Sequence, residues 1–427
     1  MSEEQRTRAR RVRRDSGIVR HGRQKAHGPV RTILGFIGAS MVVVLVSGAA
    51  VASIAAWDIA RSVQPGVALA NEGAIPQIAE IEGGVNLLLV GSDSRAGTDP
   101  NVFDVDPGSV LNDVNMVLHI SQDHKSATVI SIPRDMVVHF PNCPGGGGGW
   151  TGPINASLNE GGLACVALTV EELTGLSIPF AAEIQFNGVI EMANAIGGVE
   201  VCVADRIEDD YTQTYLDPGI HELSGLQALQ FLRTRHGVGD GSDLGRISNQ
   251  QVFLSSLVRK LKSAETLTNP IALYGLAKAA VSNMTLSNSL NNVDTMVSIA
   301  MALKDIPLDK IVFVQYPGTT GGVGVYSGKV QPNVAAAEAL FGAILADEAV
   351  GLSGTTGEGS VVDPNAPVDV APDAVVAEPD PAASSSASTA PTTPAPTTAP
   401  VTVLPDSVLG QTAGTFTCSK GRTLNDQ

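Results

Sequence analysis

The chain has 427 residues, 43% of them apolar but only 4% aromatic, and a formal charge of −16; this supplies one large core or two modest ones with non-globular flanks and excludes a small stapled mini-protein. The charge is unevenly spread, with +7 in residues 1–31 and −23 in the rest. A body this acidic is a poor partner for a phosphate backbone, so no nucleic-acid binding is expected of it.

Residues 1–31 read as a basic cytoplasmic head and residues 32–56 as one transmembrane helix, an uncharged stretch of 25 residues that covers a hydrocarbon layer of roughly 30 Å at about 1.5 Å per residue. Its length favours a retained anchor over a cleaved signal peptide, the reading that Ala50-Val51-Ala52 and Ala68-Leu69-Ala70 would support. Arginines 6, 8, 10, 11, 13 and 14 keep the head inside, which puts everything after the span outside the cell membrane. A DNA-binding arm is the rival reading of that cluster.

Residues 57–80 look like a stalk, and 81–350 form the folded extracytoplasmic domain. Short β-branched runs at 85–90, 114–120, 127–132, 182–186, 199–203 and 311–316 alternate with helical patterns, the longest at 246–267 and 334–347. The expected architecture is α/β, a three-layer α/β/α arrangement around a mixed central sheet. Thr169 with Glu172 and Ser224 with Gln227 fit capping boxes, and Gly175 and Gly197 fit helix stops. Residues 351–400 are rich in Pro, Ser, Thr and Ala and read as a disordered linker. The last segment, 401–427, is too short for a domain and would trail or dock through Cys418. No internal repeat is evident.

Four cysteines in an oxidising compartment are read as disulfides rather than a metal site, since no C-x-x-C spacing occurs. Cys143 and Cys165 flank a glycine-rich loop that a bond would restrain; Cys202 would then be left for Cys418. Three pairings exist and the sequence does not choose among them.

Outside the membrane there is no ATP, so group transfer there needs a donor activated beforehand, and a lipid-linked pyrophosphate is such a donor. Binding one calls for guanidinium groups or a divalent ion at the diphosphate and an apolar slot for the tail. Acids and arginines do sit at element ends. LLLVGSDSR puts Asp93 and Arg95 past one strand, Asp113 opens the next, and SIPRD puts Arg134 and Asp135 after a third. FLRTRH supplies Arg233 and Arg235, and SDLGRISNQ supplies Asp243, Arg246 and Gln250, the last two sharing a helix face near its N-terminus. Singly, each suits an ordinary ion pair or turn; together they favour one anionic ligand. The five-glycine run lacks a P-loop ending, and His119, His139, His221 and His236 lack metal spacing and are read as structural. Val252, Leu257 and Leu261 are candidates for lining the apolar slot.

This ordered set of motifs, from LLLVGSDSR through NDVNMVLHI, SIPRDMVV, INASLNEGG and LSGLQALQFLRTRH to DLGRISNQQ, resembles the LytR-CpsA-Psr family of cell-envelope glycopolymer transferases. The resemblance implies a phosphotransferase that moves a cell-wall glycopolymer from a polyprenyl-pyrophosphate-linked donor to a peptidoglycan acceptor. It further implies Mg2+ on Asp93 and Asp113, pyrophosphate on Arg134, Arg233, Arg235 and Arg246, with Arg95 and Gln250 as weaker substrate contacts, and catalysis by Asp93, Arg134 and Arg246. Leu111 and Asn249 stand where the family often has arginines, and a long insertion separates the two acids. A carrier-binding protein without catalysis and a membrane-tethered transcriptional attenuator are the alternatives.

Overall fold

A computed structural model of the chain describes residues 29–62, 64–71, 84–95, 110–263, 269–364, 366 and 401–422. Most of the basic head, part of the stalk and residues 367–400 of the expected linker lie outside the described residues. The chain divides into two units, residues 1–58 and 59–427.

The expected span falls within helix α1, Pro29–Ser62. Several of its side chains are outside the described residues, and among the described ones no helix is long and apolar enough to cross a membrane. The span therefore rests on the sequence.

In chain order, the strands of the two larger sheets are β1 (Val85–Ser92), β2 (Asn112–Ile120), β3 (Ala127–Ile132), β4 (Phe180–Ile184), β5 (Val199–Val203), β6 (Gly219–Leu223), β7 (Met284–Leu286), β8 (Ile311–Gln315), β9 (Ser360–Val362), β10 (Gly410–Thr412) and β11 (Thr417–Ser419). The helices after α1 are α2 (Ser157–Thr174), α3 (Phe186–Ala195), α4 (Gly225–Arg233), α5 (Asp243–Lys262), α6 (Pro270–Asn283), α7 (Val293–Lys304) and α8 (Val334–Leu345). A mixed seven-stranded sheet runs β7-β4-β1-β2-β3-β8-β10, and a second sheet runs β6-β5-β11-β9.

The middle strands are near-continuous apolar runs because both of their faces are covered. On one face Leu88, Val90, Val117 and Ile130 pack with Val166 and Val170 of α2 and Leu340 and Ile344 of α8. On the other, Leu87, Met116, Leu118 and Phe180 pack with Leu254 and Val258 of α5 and Ile299 and Ala302 of α7. A third cluster joins the smaller sheet to α3, α4 and the opposite face of α5. Helices on both faces of a mixed sheet are what the sequence led us to expect.

Several boundaries differ. Thr169 caps nothing: it lies inside α2, its hydroxyl bonded to the Cys165 carbonyl at 2.8 Å, because that helix already begins at Ser157 and continues past a kink at Gly161 and Gly162. Gly175, at φ 72°, does end α2, and Ser224 precedes α4. The strand expected at 182–186 sits two residues earlier, and Phe186 opens α3. Helices α6 and α7 had not been anticipated.

Both disulfides, Cys143–Cys165 and Cys202–Cys418, are formed. Gly161 makes room for the first, since a Cβ there would come within 3.0 Å of both cysteine Cβ atoms and 2.7 Å of the Pro144 carbonyl.

The folded part also extends beyond residue 350 and takes back residues 401–422. Ala349–Leu352 pairs in parallel with Val401–Leu404, β10 extends the main sheet beside β8, and β11 lies between β5 and β9 with Cys418 opposite Cys202. Too short to hold a core of its own, the last segment adds strands to sheets that already have one. It also grips α5: the Gln411 amide donates to the Gln251 carbonyl (3.0 Å) and the Ser255 hydroxyl (2.7 Å), Arg259 donates to the Ala413 carbonyl (2.8 Å), and the Ser419 hydroxyl bonds Asn249.

Candidate active site

The ends of β1 and β3 and the start of β2 lie at one edge of the main sheet because β2 runs antiparallel to both. Asp93, just beyond β1, accepts the Leu111 N–H through Oδ1 (2.7 Å) and donates its own N–H to the Leu111 carbonyl (3.0 Å), which brings the two ends of the long insertion together. Two residues on, Asp113 meets Arg134 from the turn after β3, with Nη1 to Oδ1 at 2.7 Å. The Arg134 main chain is fixed on both sides: its N–H donates to Asp243 (2.9 Å) and its carbonyl accepts from the Asn155 N–H (3.1 Å). Burial opposes the Arg134 charge, yet the neighbouring Asp113, Asp243 and Asp135 raise its pKa.

The facing wall comes from helix ends. The Ser242 hydroxyl caps α5 by accepting from the Gly245 N–H (3.2 Å). Arg246, one turn in, contacts Asp243 (Nη2 to Oδ1, 2.6 Å), donates to the Asp113 carbonyl (2.7 Å) and holds Nη1 4.0 Å from Asp113 Oδ2. Arg233 ends α4 with its guanidinium carbon 4.3 Å from the Phe186 ring centroid. Burial lowers its pKa; Arg95 and Arg246 push the same way, while Asp113 and Asp93 oppose. Even lowered, a guanidinium stays charged in the physiological range.

Asp209 organises the loop that follows α4. Its carboxylate accepts from the Thr234 hydroxyl (2.7 Å) and from the N–H groups of Arg235 (3.0 Å), His236 (3.1 Å) and Tyr211 (3.0 Å). Burial would raise this carboxyl, but those bonds outweigh it and hold the pKa below the usual value.

These two walls enclose a cavity of about 170 Å³, lined on one side by Asp113 and Arg134 and on the other by Arg233, Arg235 and Arg246, with Asp209, Tyr211, Thr212 and His236 completing it. Four guanidinium groups from three separate stretches thus converge on one space. With Asp209 engaged by the backbone, the charge left facing that space favours an anion with several acceptor oxygens. The volume suits a head group more than a whole ligand, since drug-sized pockets run to roughly 300–1,000 Å³.

Arg134, Arg233, Arg235, Arg246 and Asp113 were all candidates from the sequence and are brought together. Asp93 and Arg95 stand close enough to act on Arg233 electrostatically but do not line the cavity. Gln250 does not line it either: its amide donates to the Leu232 carbonyl (2.9 Å) and tethers α4 to α5. Asn249, at an expected arginine position, is fully buried, with its amide donating to the Phe231 carbonyl (2.9 Å) and its oxygen taken by Ser419. A guanidinium there would have to displace β11.

The slot assignment is corrected as well. Leu257 and Leu261 pack in the cluster against the smaller sheet and Val252 is fully buried; the residues of α5 that face the main sheet are Leu254 and Val258. Asp209, Tyr211, Thr212 and His236 had been missed. His236 was grouped with three histidines held by structural contacts, His119 with Asn86, His139 with Glu172 and His221 with the Asp217 carbonyl. Its position directly after FLRTR was the available signal.

Asp93 and Asp113 offer hard oxygen donors, and one or two carboxylates plus substrate phosphates are the usual surroundings of Mg2+. Among the described residues, the one cluster of three side chains of metal-binding type is Cys202, Asp363 and Cys418, whose sulfurs are bonded to each other.

The sequence profile of the LytR_cpsA_psr family matches residues 54–340. The cell wall biosynthesis protein LcpA of Corynebacterium glutamicum is 29% identical over 338 residues, 72% of this chain and 64% of that protein, so the chain spans under two thirds of this relative's length. The polyisoprenyl-teichoic acid–peptidoglycan teichoic acid transferase TagT of Bacillus subtilis is 27% identical over 245 residues, 55% of this chain and 71% of that one. Among solved structures, the LytR-Csp2A-Psr enzyme from Actinomyces oris shares the fold with a TM-score of 0.50 at 20% identity, covering 66% of this chain and 96% of that one.

Proposed function

The chain belongs to the LytR_cpsA_psr family, and we propose that it is a phosphotransferase that attaches a cell-wall glycopolymer to peptidoglycan. The donor in this reading is a glycan on a polyprenyl pyrophosphate, the acceptor is the 6-hydroxyl of a muramoyl residue, and the product is a phosphodiester. What carries the reading is the convergence of Arg134, Arg233, Arg235 and Arg246 on one cavity beside Asp113. Support also comes from TagT, whose name states a transfer of teichoic acid to peptidoglycan.

The acceptor oxygen forms a bond to the phosphorus nearest the glycan while the bond to the bridging oxygen breaks. Polyprenyl phosphate leaves with that electron pair, and the hydroxyl proton passes to Asp93 or to solvent. Arg134 and Arg246, already fixed by Asp113 and Asp243, are preorganised to offset charge on the phosphoryl oxygens, and Arg233 and Arg235 do so from the other side. Asp93, which stands beside the cavity without lining it, would orient an acceptor that enters from that side. Mg2+ held by Asp93 and Asp113 would supply Lewis-acid stabilisation of the same oxygens. The polyprenyl tail would follow the apolar face between the main sheet and α5 and α7. In the same reading residues 32–56 anchor the protein by one span, with the basic head cytoplasmic and the catalytic domain extracytoplasmic.

The test is transfer by the purified full chain from lipid-linked glycan to peptidoglycan with Mg2+. We expect transfer in the wild type and at least a hundredfold loss in Arg134→Ala and Arg246→Ala. Wild-type binding of the donor without turnover would instead indicate a carrier-binding protein.

A further inference from the structure

Tyr211 is 81% exposed, yet it lines the arginine cavity. An isolated exposed aromatic would need no explanation, but this one is held in place. Its N–H is fixed on the buried Asp209 carboxylate, and its ring lies 4.6 Å from the His236 ring, centroid to centroid, at 41°. The ladder Ile207–Asp209 with Thr214–Leu216 brackets it, with Gln213 at φ 55° in the turn. The Thr212 hydroxyl, hydrogen-bonded to that of Thr214 at 2.8 Å, supplies a polar partner on the same rim.

The assignment rests on the diphosphate reading above. If the arginines hold a diphosphate, whatever is bonded to the reacting phosphorus must emerge within one ring's width of it. In this reaction that is a sugar on either side, the donor glycan's first residue or the acceptor's. A pyranose has an apolar face of C–H groups and a rim of hydroxyls, and it is recognised by a flat, restrained aromatic ring with hydroxyl partners beside it; tyrosine supplies such a surface at low entropic cost. We infer that Tyr211, with Thr212, is a stacking platform for the pyranose ring next to the diphosphate.

The experiment measures Kd with the full chain for geranylgeranyl diphosphate, for a polyprenyl diphosphate carrying N-acetylglucosamine, and for the soluble disaccharide of N-acetylglucosamine and N-acetylmuramic acid. Tyr211→Ala is expected to weaken one glycan-bearing probe about tenfold and to leave geranylgeranyl diphosphate unchanged, with Tyr211→Phe close to wild type. The probe that moves tells whether the ring is the donor's or the acceptor's. Equal weakening of the glycan-free diphosphate, or no change with any probe, overturns the platform. A wild type that binds the disaccharide through Tyr211 but neither diphosphate would sink the transferase reading and leave the platform standing; if Arg246→Ala loses both diphosphates while Tyr211→Ala loses nothing, the platform alone falls.

Discussion

The wall of the cavity that carries Asp113 and Arg134 and the wall that carries Arg233, Arg235 and Arg246 reach the same space by different routes. The first is made of neighbouring strand ends in the middle of a sheet covered on both faces, so its geometry follows from pairing between segments close in sequence. The second is made of a helix C-terminus, a loop and a helix N-terminus, and the segment that holds them returns from the far end of the chain. The Gly239 N–H donates to the Lys420 carbonyl (3.0 Å), the Arg422 N–H to the Gly237 carbonyl (2.9 Å), and Cys418 is bonded to Cys202. Gly359, just before β9, lets that strand pack on the start of α5, since a Cβ there would meet the Gly245 carbonyl at 2.0 Å. A strand-borne site can be local, whereas a loop-borne one has to be braced from elsewhere.

Removing the brace is the strongest way to separate the walls. Cys202→Ser with Cys418→Ser opens a ring of 216 residues, for which loop entropy gives about 5 kcal/mol, against about 3 kcal/mol for the Cys143–Cys165 ring of 22 residues. Urea denaturation should show the larger loss for the first pair. Hydrogen exchange should show lost protection in α5 before β1, β2 and β3, and simultaneous loss across both would contradict the division.

The next effect comes from single arginines. Arg246 and Asp243 are 6% and 4% exposed in their side chains, whereas Arg134 and Asp113 are 23% and 24% exposed. Arg246→Ala removes the closest cation from the buried Asp243 carboxylate, leaving it the Arg134 N–H at 2.9 Å and Arg134 Nε at 3.9 Å, and should cost about 3 kcal/mol, while Arg134→Ala should cost about 1 kcal/mol, with transfer expected to fall at least a hundredfold in both. Adding Asp243→Asn to Arg246→Ala should recover part of the stability and none of the activity, read by thermal unfolding alongside the transfer assay.

A further effect, set by pH, belongs to the sheet. Burial pushes His119 on β2 down to about 4 even with Asp347 3.6 Å away, so it is neutral in the fold. Between pH 6.5 and 4 the unfolded chain binds a proton that the folded one does not, and stability falls as pH drops through that window, by up to about 1.4 kcal/mol per unit, levelling off below it. His119→Gln, which cannot titrate, should flatten that slope in denaturation midpoints measured from pH 7 to 4.

The same division governs how much could be read from residues alone. VNLLLV, NDVNMVLHI and ATVISI are apolar runs of strand length followed by charged turns, so β1, β2 and β3 and the positions of Asp93, Asp113 and Arg134 were legible. So was α5, from its length, although it begins at Asp243 rather than at 246 and its Ser242 cap was not foreseen. Its orientation was not, because α5 is apolar on two faces, and only packing decides that Leu254 and Val258 meet the main sheet while Leu257 and Leu261 meet the smaller one. Asp209 ends one of two three-residue strands and Tyr211 lies in the turn between them, too short a unit for any period to register. Of the brace, the sequence offered only docking through Cys418 and its pairing with Cys202 as one option, for a related reason: β10 and β11 have three residues each and follow a Pro/Thr-rich stretch that reads as a linker.

The bond between Cys202 and Cys418 has a consequence for how the protein withstands proteolysis. Residues 367–400, rich in Pro, Ser, Thr and Ala, fall inside the covalent circle that this bond completes. One cleavage there frees nothing: the molecule keeps its mass on a gel run without reductant and comes apart only once thiols are added. The circle takes in Arg233, Arg235 and Arg246, so a molecule nicked in this way still carries every arginine of its cavity.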